Sequence, residues 1–501
     1  MRAILVFAIL LSGCSVGPNF LRPTAELPTD FVAGKKPTGP SLPVAEPLDA
    51  QWWSVFGDPE LTRLAGKIAS DNPDIQIAAI RLAESRAQRG IAAAAEFPTL
   101  NANGSYTREK QSAKGASSLF GGASGGSPAG QANGLGGRQG GTPTGGAASR
   151  PFDLFQAGFD ASWELDIWGR VRRQVESADA AIDASAEQRR DMQVSMVAEL
   201  ARDYLQLRGV QDSLRIVSEN LATAREQASL VSERQKGGLA TDLDVANASA
   251  QVNETEAALP PLEQQQAMLI NAIGFLLGER PGAFADALTP RQASPLVPPR
   301  VPIGLPSELA HRRPDIRRAE AQLHAATADI GAAEADFYPR ITLSGSVALQ
   351  ALQFHNLGSW DALTYGFGPA ISLPIFEGGR LRRTLDLRKL QQQEAALTYR
   401  RTVLQAWREV DDALQAYDTE QRRLDRLTAQ ATNARRALGY ARARNNQGIS
   451  DYLEVLTAQR TLLAAQGNMA SSAATVNTDL VTLYKALGGG WETDFPDPTP
   501  R

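Results

Sequence analysis

The chain has little of the chemistry from which most catalytic and metal sites are built. It contains one cysteine, Cys14, and three histidines, His311, His324 and His355, in 501 residues. One cysteine cannot form a disulfide within the chain, and a structural zinc site needs several Cys or His ligands at short spacing. No glycine-rich stretch leads into the Gly-Lys-Ser/Thr of a phosphate-binding loop. We therefore expect no enzyme activity, no metal and no cofactor.

The chain also lacks an excess of positive charge and, beyond its start, a long apolar run. Lys and Arg number 51 against 55 Asp and Glu, which gives a net charge of -4 and argues against nucleic acid as a partner. After residue 13 no apolar run reaches the ~20 residues of a membrane-spanning helix. Any further membrane contact must therefore come from β-strands, whose hydropathy signal is weaker.

The single cysteine follows a short apolar segment. Arg2 precedes an apolar run that ends in LLSGC, at Cys14. This is the layout of a secretory signal peptide, residues 1–13, and its end resembles the lipobox of bacterial lipoproteins. The resemblance implies that Cys14 becomes the acylated first residue of the mature chain, and Ser15 in place of Asp favours the outer membrane. An ordinary signal peptide with an incidental cysteine is the alternative.

The chain repeats itself once. The segment DNPDIQIAAIRLAESRAQRGIAAAAEFP, from Asp71, matches RRPDIRRAEAQLHAATADIGAAEADFYP, from Arg312, at an offset of 241 residues. GGLATDLDV, from Gly237, matches QGISDYLEV, from Gln447, at an offset of 210. The offset is smaller for the later pair because the first half carries a Gly/Ser-rich stretch, residues 115–149. We expect an exposed loop there.

Four segments alternate apolar and polar residues: 99–110, 157–168, 340–351 and 362–376. Each is close to the ~10 residues of a tilted membrane-spanning strand. The polar face of the second segment carries Asp160, Glu164 and Asp166, which suits a wet lumen with the apolar face toward lipid; a soluble sheet is the alternative. Four strands cannot close a membrane barrel, and open edges in lipid leave backbone groups unpaired. The pattern therefore predicts an oligomer, with two chains for eight strands or three for twelve.

Each half also predicts a long helix and a return helix. Residues 170–236 and 380–446 contain no proline and carry an apolar stripe at steps of three and four, which indicates coiled-coil packing. Return helices follow at 240–277 and 450–487, so each half ends in an antiparallel helical hairpin. A solid coiled-coil rod is the alternative to a curved wall of helices.

The sequence also predicts where these helices begin and end. Gly238 and Gly448 are expected to end the long helices, and Thr241 and Ser450 to cap the return helices. Pro73 and Pro314 fit the first turn of another helix in each half, the first of them capped by Asn72. The chain is then divided into a signal peptide 1–13, an acylated N-terminal extended segment 14–60, repeat 1 at 61–277, an inter-repeat linker 278–310, repeat 2 at 311–487 and a tail 488–501.

Three blocks resemble the TolC-like outer-membrane efflux channel family, in its lipoprotein (NodT/OprM-like) branch. They are WWSVFGDPEL from Trp52, VPIGLPSELAHRRPDIRRAEAQLHAATADIGAAEADFYPRITLSGS from Val301, and LPIFEGGRLRR from Leu373. The resemblance implies a mixed α and β fold and a homotrimer. Four strands from each chain would form a 12-stranded β-barrel in the outer membrane, continued by an α-helical barrel through the periplasm. It also implies a passive conduit for drugs or other small solutes, joined to an inner-membrane pump of the resistance–nodulation–division type by a periplasmic adaptor.

In this family the hairpin tips close the resting pore and contact the adaptor, which directs attention to the two turns. Asp451, Tyr452 and Asp242 are the gate candidates, because a ring of carboxylates in a trimer favours cations and can hold a closed state. Simple capping of the return helices by these acids is the alternative. The adaptor-binding candidates lie at the same turns: Gly238, Leu239, Thr241, Leu243, Gly448, Ile449, Ser450 and Leu453.

Two other functions fit parts of the sequence. The outer-membrane duct of a type I protein-secretion system shares the fold, although the RRPDI block and the lipobox favour efflux. A periplasmic coiled-coil lipoprotein with a structural role would explain the cysteine and the heptads but not the four alternating segments.

Overall fold

The computed structural model describes residues 15–23, 39–44, 46–110, 151–291, 295, 298–304 and 309–492. Cys14 and the stretch 115–149 lie outside these ranges. The chain divides into two compact units. Among the described residues, the strand unit comprises those within 15–17, 90–175 and 330–386, and the helical unit comprises those within 18–89, 176–329 and 387–492.

The helices of the described residues are α1 (Pro59–Asp71), α2 (Pro73–Ala94), α3 (Arg170–Lys236), α4 (Asp242–Ala257), α5 (Leu259–Leu276), α6 (Ala285–Leu288), α7 (Leu309–Arg312), α8 (Pro314–Ala335), α9 (Arg380–Asn446) and α10 (Tyr452–Ala486). The strands are β1 (Leu42–Val44), β2 (Thr99–Glu109), β3 (Phe152–Leu165), β4 (Arg300–Pro302), β5 (Arg340–Ala351) and β6 (Leu363–Ser372). Short 3₁₀ turns lie at Trp52–Phe56, Phe354–Asn356 and Trp360–Ala362. None of these helices is long and apolar enough to cross a membrane.

The strand unit contains one antiparallel sheet in the order β2-β3-β5-β6. Directly paired residues of an antiparallel sheet point to the same face. One apolar row runs through the pairs of Ala102 with Phe159, Phe159 with Val347, and Val347 with Tyr365. The next rows on that face include Leu100 and Phe367. The alternation in the sequence is therefore carried across all four strands.

Two strands, β3 and β6, have ends that differ from the predicted ones by more than one residue. β3 begins at Phe152 rather than 157, because residues 152–156 pair with β2, and it ends at Leu165 rather than 168. The carboxylate of Asp166 leaves the ladder and accepts hydrogen bonds from the backbone N–H groups of Val171 and Arg172, at 3.1 and 2.9 Å. β6 ends at Ser372 rather than 376, since its last partner, Arg340, begins β5.

The single return helix predicted over 240–277 is wrong. The structure has two helices there, α4 and α5, which are separated at Ala258. Pro260 and Pro261 follow at once, and proline has no N–H with which to continue the helical hydrogen bonds. The second return helix is unbroken, as predicted, although it begins at Tyr452 rather than Ser450.

The two largest apolar cores of the described residues lie in the helical unit. The larger draws on α1, α3, α5, α9 and α10, and Trp52 lies within it, stacked on Tyr484 with ring centroids 5.1 Å apart. The smaller surrounds the hairpin ends and includes Ala431, Ala434, Leu438 and Ala441 of the predicted stripe on α9. Small side chains in this stripe let neighbouring helices approach closely, which holds the two tips together.

Candidate functional site at the hairpin tips

The first hairpin tip is set by a glycine. Gly238 has φ of +74°, a left-handed conformation that other residues adopt only with strain. The N–H of Leu239 donates to the carbonyl of Arg234 at 2.8 Å, and the N–H of Gly238 to that of Gln235 at 2.9 Å. This pair of bonds is the Schellman motif, which satisfies the last carbonyls of a helix.

The second tip repeats this geometry at the offset of 210. Gly448 has φ of +71°. The N–H of Ile449 donates to Arg444 at 2.9 Å, and the N–H of Gly448 donates to Asn445 at 3.0 Å. Both predicted C-terminal glycines therefore end their helices.

The two return helices are capped differently. Thr241 forms a capping box with Asp244, in which each side chain accepts from the other residue's backbone N–H, at 3.2 and 2.9 Å. In the second tip the expected cap, Ser450, is wrong. Asp451 caps α10 instead, and its carboxylate accepts from the N–H of Glu454 at 3.1 Å. The capping interpretation of Asp451 is thus realised in the single chain.

Arginine and asparagine side chains join the tips to each other. Arg234 donates to the side-chain oxygens of Asn445 and Asn446 at 3.0 and 3.1 Å. Asn445 in turn donates to the carbonyl of Ser450 at 3.0 Å. Arg444 pairs with Glu454 at 3.0 Å on the second tip. These bonds fix one turn against the other.

A cavity of about 430 Å³ lies between the two tips. Both turns line it, and the predicted residues among its lining are Gly238, Leu239, Thr241, Gly448, Ser450, Asp451 and Tyr452. The structure therefore brings most of the candidates of both halves around one space.

Tyr452 is the most buried of the gate candidates, with 9% of its surface exposed. Burial raises the pKa of its phenol, and the nearby Asp244 carboxylate raises this pKa further, whereas Arg442 lowers it. Asp242 lies on the exposed side of the first tip, where it accepts a hydrogen bond from Gln235 at 2.9 Å. Asp242 does not line the cavity, so the structure separates it from Asp451 and Tyr452.

Four apolar side chains of the tips point to solvent. Their exposed fractions are 82% for Leu239, 67% for Leu243, 63% for Ile449 and 56% for Leu453. They occupy matching positions of the two repeats. A pair of matched apolar contacts at each tip is suited to docking another helical hairpin.

The sequence analysis missed the residues that hold the tips together. Arg234, Asn445 and Arg444 lie before the turns, where the heptad pattern assigns only packing. The repeat gave one usable signal, since Arg234 and Arg444 are matched at the offset of 210. Arg442 has no arginine counterpart, and its Nε and Nη2 atoms are buried without a hydrogen-bond partner among the described residues.

A four-stranded antiparallel sheet and two long helical hairpins from an internal repeat define the class of this chain as a TolC-like channel subunit. A family model described as outer membrane efflux protein matches residues 64–279 and 305–489. The chain belongs to the outer membrane efflux protein family.

Individual relatives match along nearly the whole chain. The solvent efflux pump outer membrane protein SrpC of Pseudomonas putida is 32% identical over 495 residues, which cover 98% of each chain. The probable outer membrane lipoprotein SilC of Salmonella typhimurium is 28% identical and covers 96% of this chain and 97% of its own. Among solved structures, the outer-membrane channel OprN has a TM-score of 0.83 and 32% identity, over 96% of this chain and 100% of that one.

Proposed function

We propose that the protein is the outer-membrane channel component of a tripartite efflux pump. It acts as a passive homotrimeric conduit that exports drugs or other small solutes, with an inner-membrane pump as the source of energy and a periplasmic adaptor between them. Membership of the outer membrane efflux protein family supports the channel role. The name of SrpC, a solvent efflux pump protein, supports small apolar molecules as cargo.

The exposed apolar face of the sheet is the observation that carries this proposal. On that face Phe367 is 85% exposed, Tyr365 74%, Ile371 71%, Leu100 70% and Phe159 58%. Leaving so much contiguous apolar surface in water is unfavourable by ~25 cal/mol per Å². The opposite face is polar: Asp160 accepts from Asn101 at 3.2 Å and from Asn103. An apolar face toward lipid and a polar face toward a water-filled lumen account for both observations.

The edges of the sheet support an oligomer. β2 and β6 are the outer strands, and an open edge in lipid leaves backbone groups unpaired at several kcal/mol each. The four strands alternate in direction, so β6 of one copy can pair antiparallel with β2 of the next. Three copies then give twelve strands and leave no edge.

The hairpin tips supply the remaining roles. The matched apolar side chains Leu239, Leu243, Ile449 and Leu453 form the adaptor-binding surface, together with the glycine turns and with Thr241 and Ser450 beside them. Asp451 and Tyr452, with Asp242 on the exposed side, form the gate, because three copies of each acid repel anions and hold cations at the constriction. Acylation of Cys14 anchors the chain to the outer membrane, as the name of the lipoprotein SilC supports.

Conductance and oligomer mass of the purified protein in lipid test the proposal. We expect discrete channel openings in a planar bilayer and three chains per particle. A monomer that is soluble in water and conducts no ions would contradict it.

A matched pair of variants tests which face meets lipid. Phe367→Arg places a charge on the apolar face, which costs ~2–4 kcal/mol at mid-bilayer, and should block insertion. Thr364→Arg places the same charge on the polar face and should leave insertion intact while conductance changes. The reverse result would assign the lipid to the other face.

A further inference from the structure

Each half of the chain places three arginines where its long helix begins, directly after the sheet. In the first half they lie in the first turn of α3 and are Arg170, Arg172 and Arg173. At the offset of 210 their counterparts lie in the first turn of α9 and are Arg380, Arg382 and Arg383. Both sets belong to the strand unit, so the surroundings of the two sets can be compared position by position.

The arginines of the first half are satisfied within the chain. Arg170 donates to both carboxylate oxygens of Glu164, at 3.0 and 2.7 Å, and Arg172 pairs with Asp166 at 3.3 Å. Arg173 is 3% exposed and donates to two backbone carbonyls of the N-terminal segment, at 3.2 and 3.3 Å. The start of α3 therefore presents little free positive charge.

The second half lacks the matching acids. At the offset of 210, Glu164 corresponds to Pro374 and Asp166 corresponds to Phe376. Two carboxylates are thus replaced by apolar side chains, while all three arginines are retained. The second set of arginines cannot be neutralised by the carboxylates that neutralise the first.

The arginines at the start of α9 are accordingly exposed. Arg380 pairs with Glu377, but 63% of its side chain remains exposed. Arg383 lies 3.5 Å from Asp386, with 87% of its side chain exposed. Arg382 is exposed, and it forms no hydrogen bond or ion pair with the residues that the structure describes. Because ion pairs as exposed as these contribute little, this turn presents a positive surface.

Large apolar side chains lie between the arginines and the sheet. Leu373, Ile375 and Phe376 follow the last residue of β6, and their exposed fractions are 51%, 92% and 89%. In the sequence, Leu373 and Ile375 continue the alternation that places Phe367 of β6 on the apolar face. An apolar surface that ends in exposed arginines is suited to the membrane boundary, where the apolar groups contact acyl chains and the guanidinium groups reach the phosphates.

We propose that the start of α9 is a binding site for an anionic phospholipid. The guanidinium groups of Arg380, Arg382 and Arg383 hold the phosphate, since each can donate two parallel N–H bonds to it. Ile375 and Phe376 contact the acyl chains next to the headgroup. The matching surface of the first half is closed by its own carboxylates, so the two halves differ in function at this position.

The chemistry of the surface favours a lipid as the occupant. A phospholipid carries an anionic phosphate and hydrocarbon in one molecule, which complements arginines beside apolar side chains that are about nine-tenths exposed. The site also lies where the sheet gives way to the long helices, at the boundary of the proposed membrane span. The inference rests on the proposed function in this respect, because the sheet must lie in the membrane.

Native mass spectrometry of the full-length protein in detergent tests the site. The probe is phosphatidylglycerol, and zwitterionic phosphatidylcholine is the comparison. We expect phosphatidylglycerol to bind more tightly, with a preference that falls as salt is added. The triple variant Arg380→Gln/Arg382→Gln/Arg383→Gln should weaken its binding by ~100-fold, because each basic residue near a membrane surface contributes ~5-fold.

A matched control removes the same charge elsewhere on α9. Arg422, Arg423 and Arg426 are exposed arginines of the helical unit. Their triple replacement by Gln should leave the binding of phosphatidylglycerol unchanged. Loss of binding in this control as well would show that overall charge is responsible and would overturn the site.

A second variant leaves the arginines in place. Pro374→Glu/Phe376→Asp introduces the acids of the first half at the matching positions. It should abolish the preference for phosphatidylglycerol over phosphatidylcholine, as the arginine variant does. A preference that survives these acids would contradict the proposed role of the arginines.

The outcomes separate the lipid site from the proposed function. A trimeric, conducting protein that binds both lipids equally would overturn the site and leave the channel function standing. If the unmodified trimer retains no lipid and the arginine variant dissociates into single chains, the arginines contact a second copy and the lipid site is wrong. A monomeric unmodified protein that conducts no ions would overturn both.

Discussion

The two long helices carry a glutamine at the same repeat position, and each glutamine binds the backbone of a segment from elsewhere in the chain. Gln211 of α3 donates to the carbonyls of Leu288 and Thr289 at 2.7 and 3.3 Å. Gln421 of α9 accepts from the N–H of Ser41 at 2.8 Å and donates to its carbonyl at 3.3 Å. Both glutamines are 3% exposed.

The neighbouring matched position shows how the halves have diverged. In α3 it is Arg208, which can only donate, and it donates toward the carbonyl of Pro290 at 3.4 Å. In α9 it is Asp418, which can only accept, and it accepts from the N–H of Gly39 at 3.0 Å. An amide can serve either kind of backbone group. The two long helices therefore share the glutamine, which can bind either kind of backbone group, and differ at the position one turn before it.

The largest expected effect is at this diverged position. Arg208 is fully buried and also donates to Tyr204 and to Gln211, at 2.8 and 2.7 Å. Arg208→Met removes the donor from Gln211 and from Tyr204, of which Tyr204 keeps its bond to Asp58, and should lower the free energy of unfolding by ~2–4 kcal/mol. Asp418→Ala removes an acceptor that is partly exposed and should cost ~1 kcal/mol. Thermal unfolding followed by circular dichroism compares the two variants. Equal losses of stability would show that the two matched positions do not differ in their contribution.

The glutamines themselves give the next effect. Gln421→Leu leaves the buried N–H of Ser41 without its acceptor, and Gln211→Leu removes the donor to the Leu288 carbonyl while Thr289 still accepts from Gln266, at ~1–3 kcal/mol for each variant. Hydrogen exchange at single amides shows which of the two segments each variant loosens. Exchange at the Ser41 amide should accelerate in Gln421→Leu and stay unchanged in Gln211→Leu. Acceleration in both variants would mean that the segments are not held separately.

Each long hairpin also carries an acid with a pKa raised to about 6, whose ionisation opposes folding. Burial raises the pKa of Asp203 to about 6, as does the neighbouring Glu199, and burial with Glu420 raises that of Asp479 to about 6. Because these folded-state pKa values exceed the unfolded one, the stability they contribute is complete below about pH 4 and lost as pH rises through about 6. Asp203→Asn and Asp479→Asn should each stabilise the protein by ~1–2 kcal/mol at about pH 7.5 and have no effect at about pH 4. Denaturant unfolding at both pH values checks this, and a gain that persists in acid would contradict the cause.

The smallest expected change in stability comes from a variant that distinguishes a capping role of Asp451 from a gating role. Asp451→Asn keeps a capping oxygen and removes the charge, so stability should change by less than ~0.5 kcal/mol while single-channel conductance rises. Thr241→Ala removes the other cap at ~1 kcal/mol, with unchanged conductance. If Asp451→Asn conducts like the unmodified channel, Asp451 is a cap and not part of the gate.

The features that the sequence predicts well are local. The left-handed glycines at 238 and 448, the cap at Thr241 and the proline starts of α2 and α8 depend on residues within one turn. Asn72 caps α2 as expected, accepting from the N–H groups of Asp74 and Ile75 at 2.9 and 3.0 Å.

The features that the sequence hides depend on distant partners. Tyr204 donates to Asp58, 146 residues away, at 2.7 Å, and the short strands β1 and β4 pair in parallel across the chain. Pro260 and Pro261 indicate a break near Ala258, whereas the match between the two halves predicts one unbroken return helix. At the tips, the apolar and acidic residues were readable from the motif, whereas the Arg234–Asn445 link depends on the approach of two turns 210 residues apart.

The number of strands contributed by each chain has a consequence for stoichiometry. Since four is even, the last strand always runs opposite to the first, so copies can be added indefinitely without breaking the alternation. Hydrogen bonding between strands is therefore satisfied equally by rings of different sizes. The count of subunits must be selected by the angle at which packed helices of adjacent copies meet, and a change of side-chain volume there would alter the width of the pore before it altered the sheet.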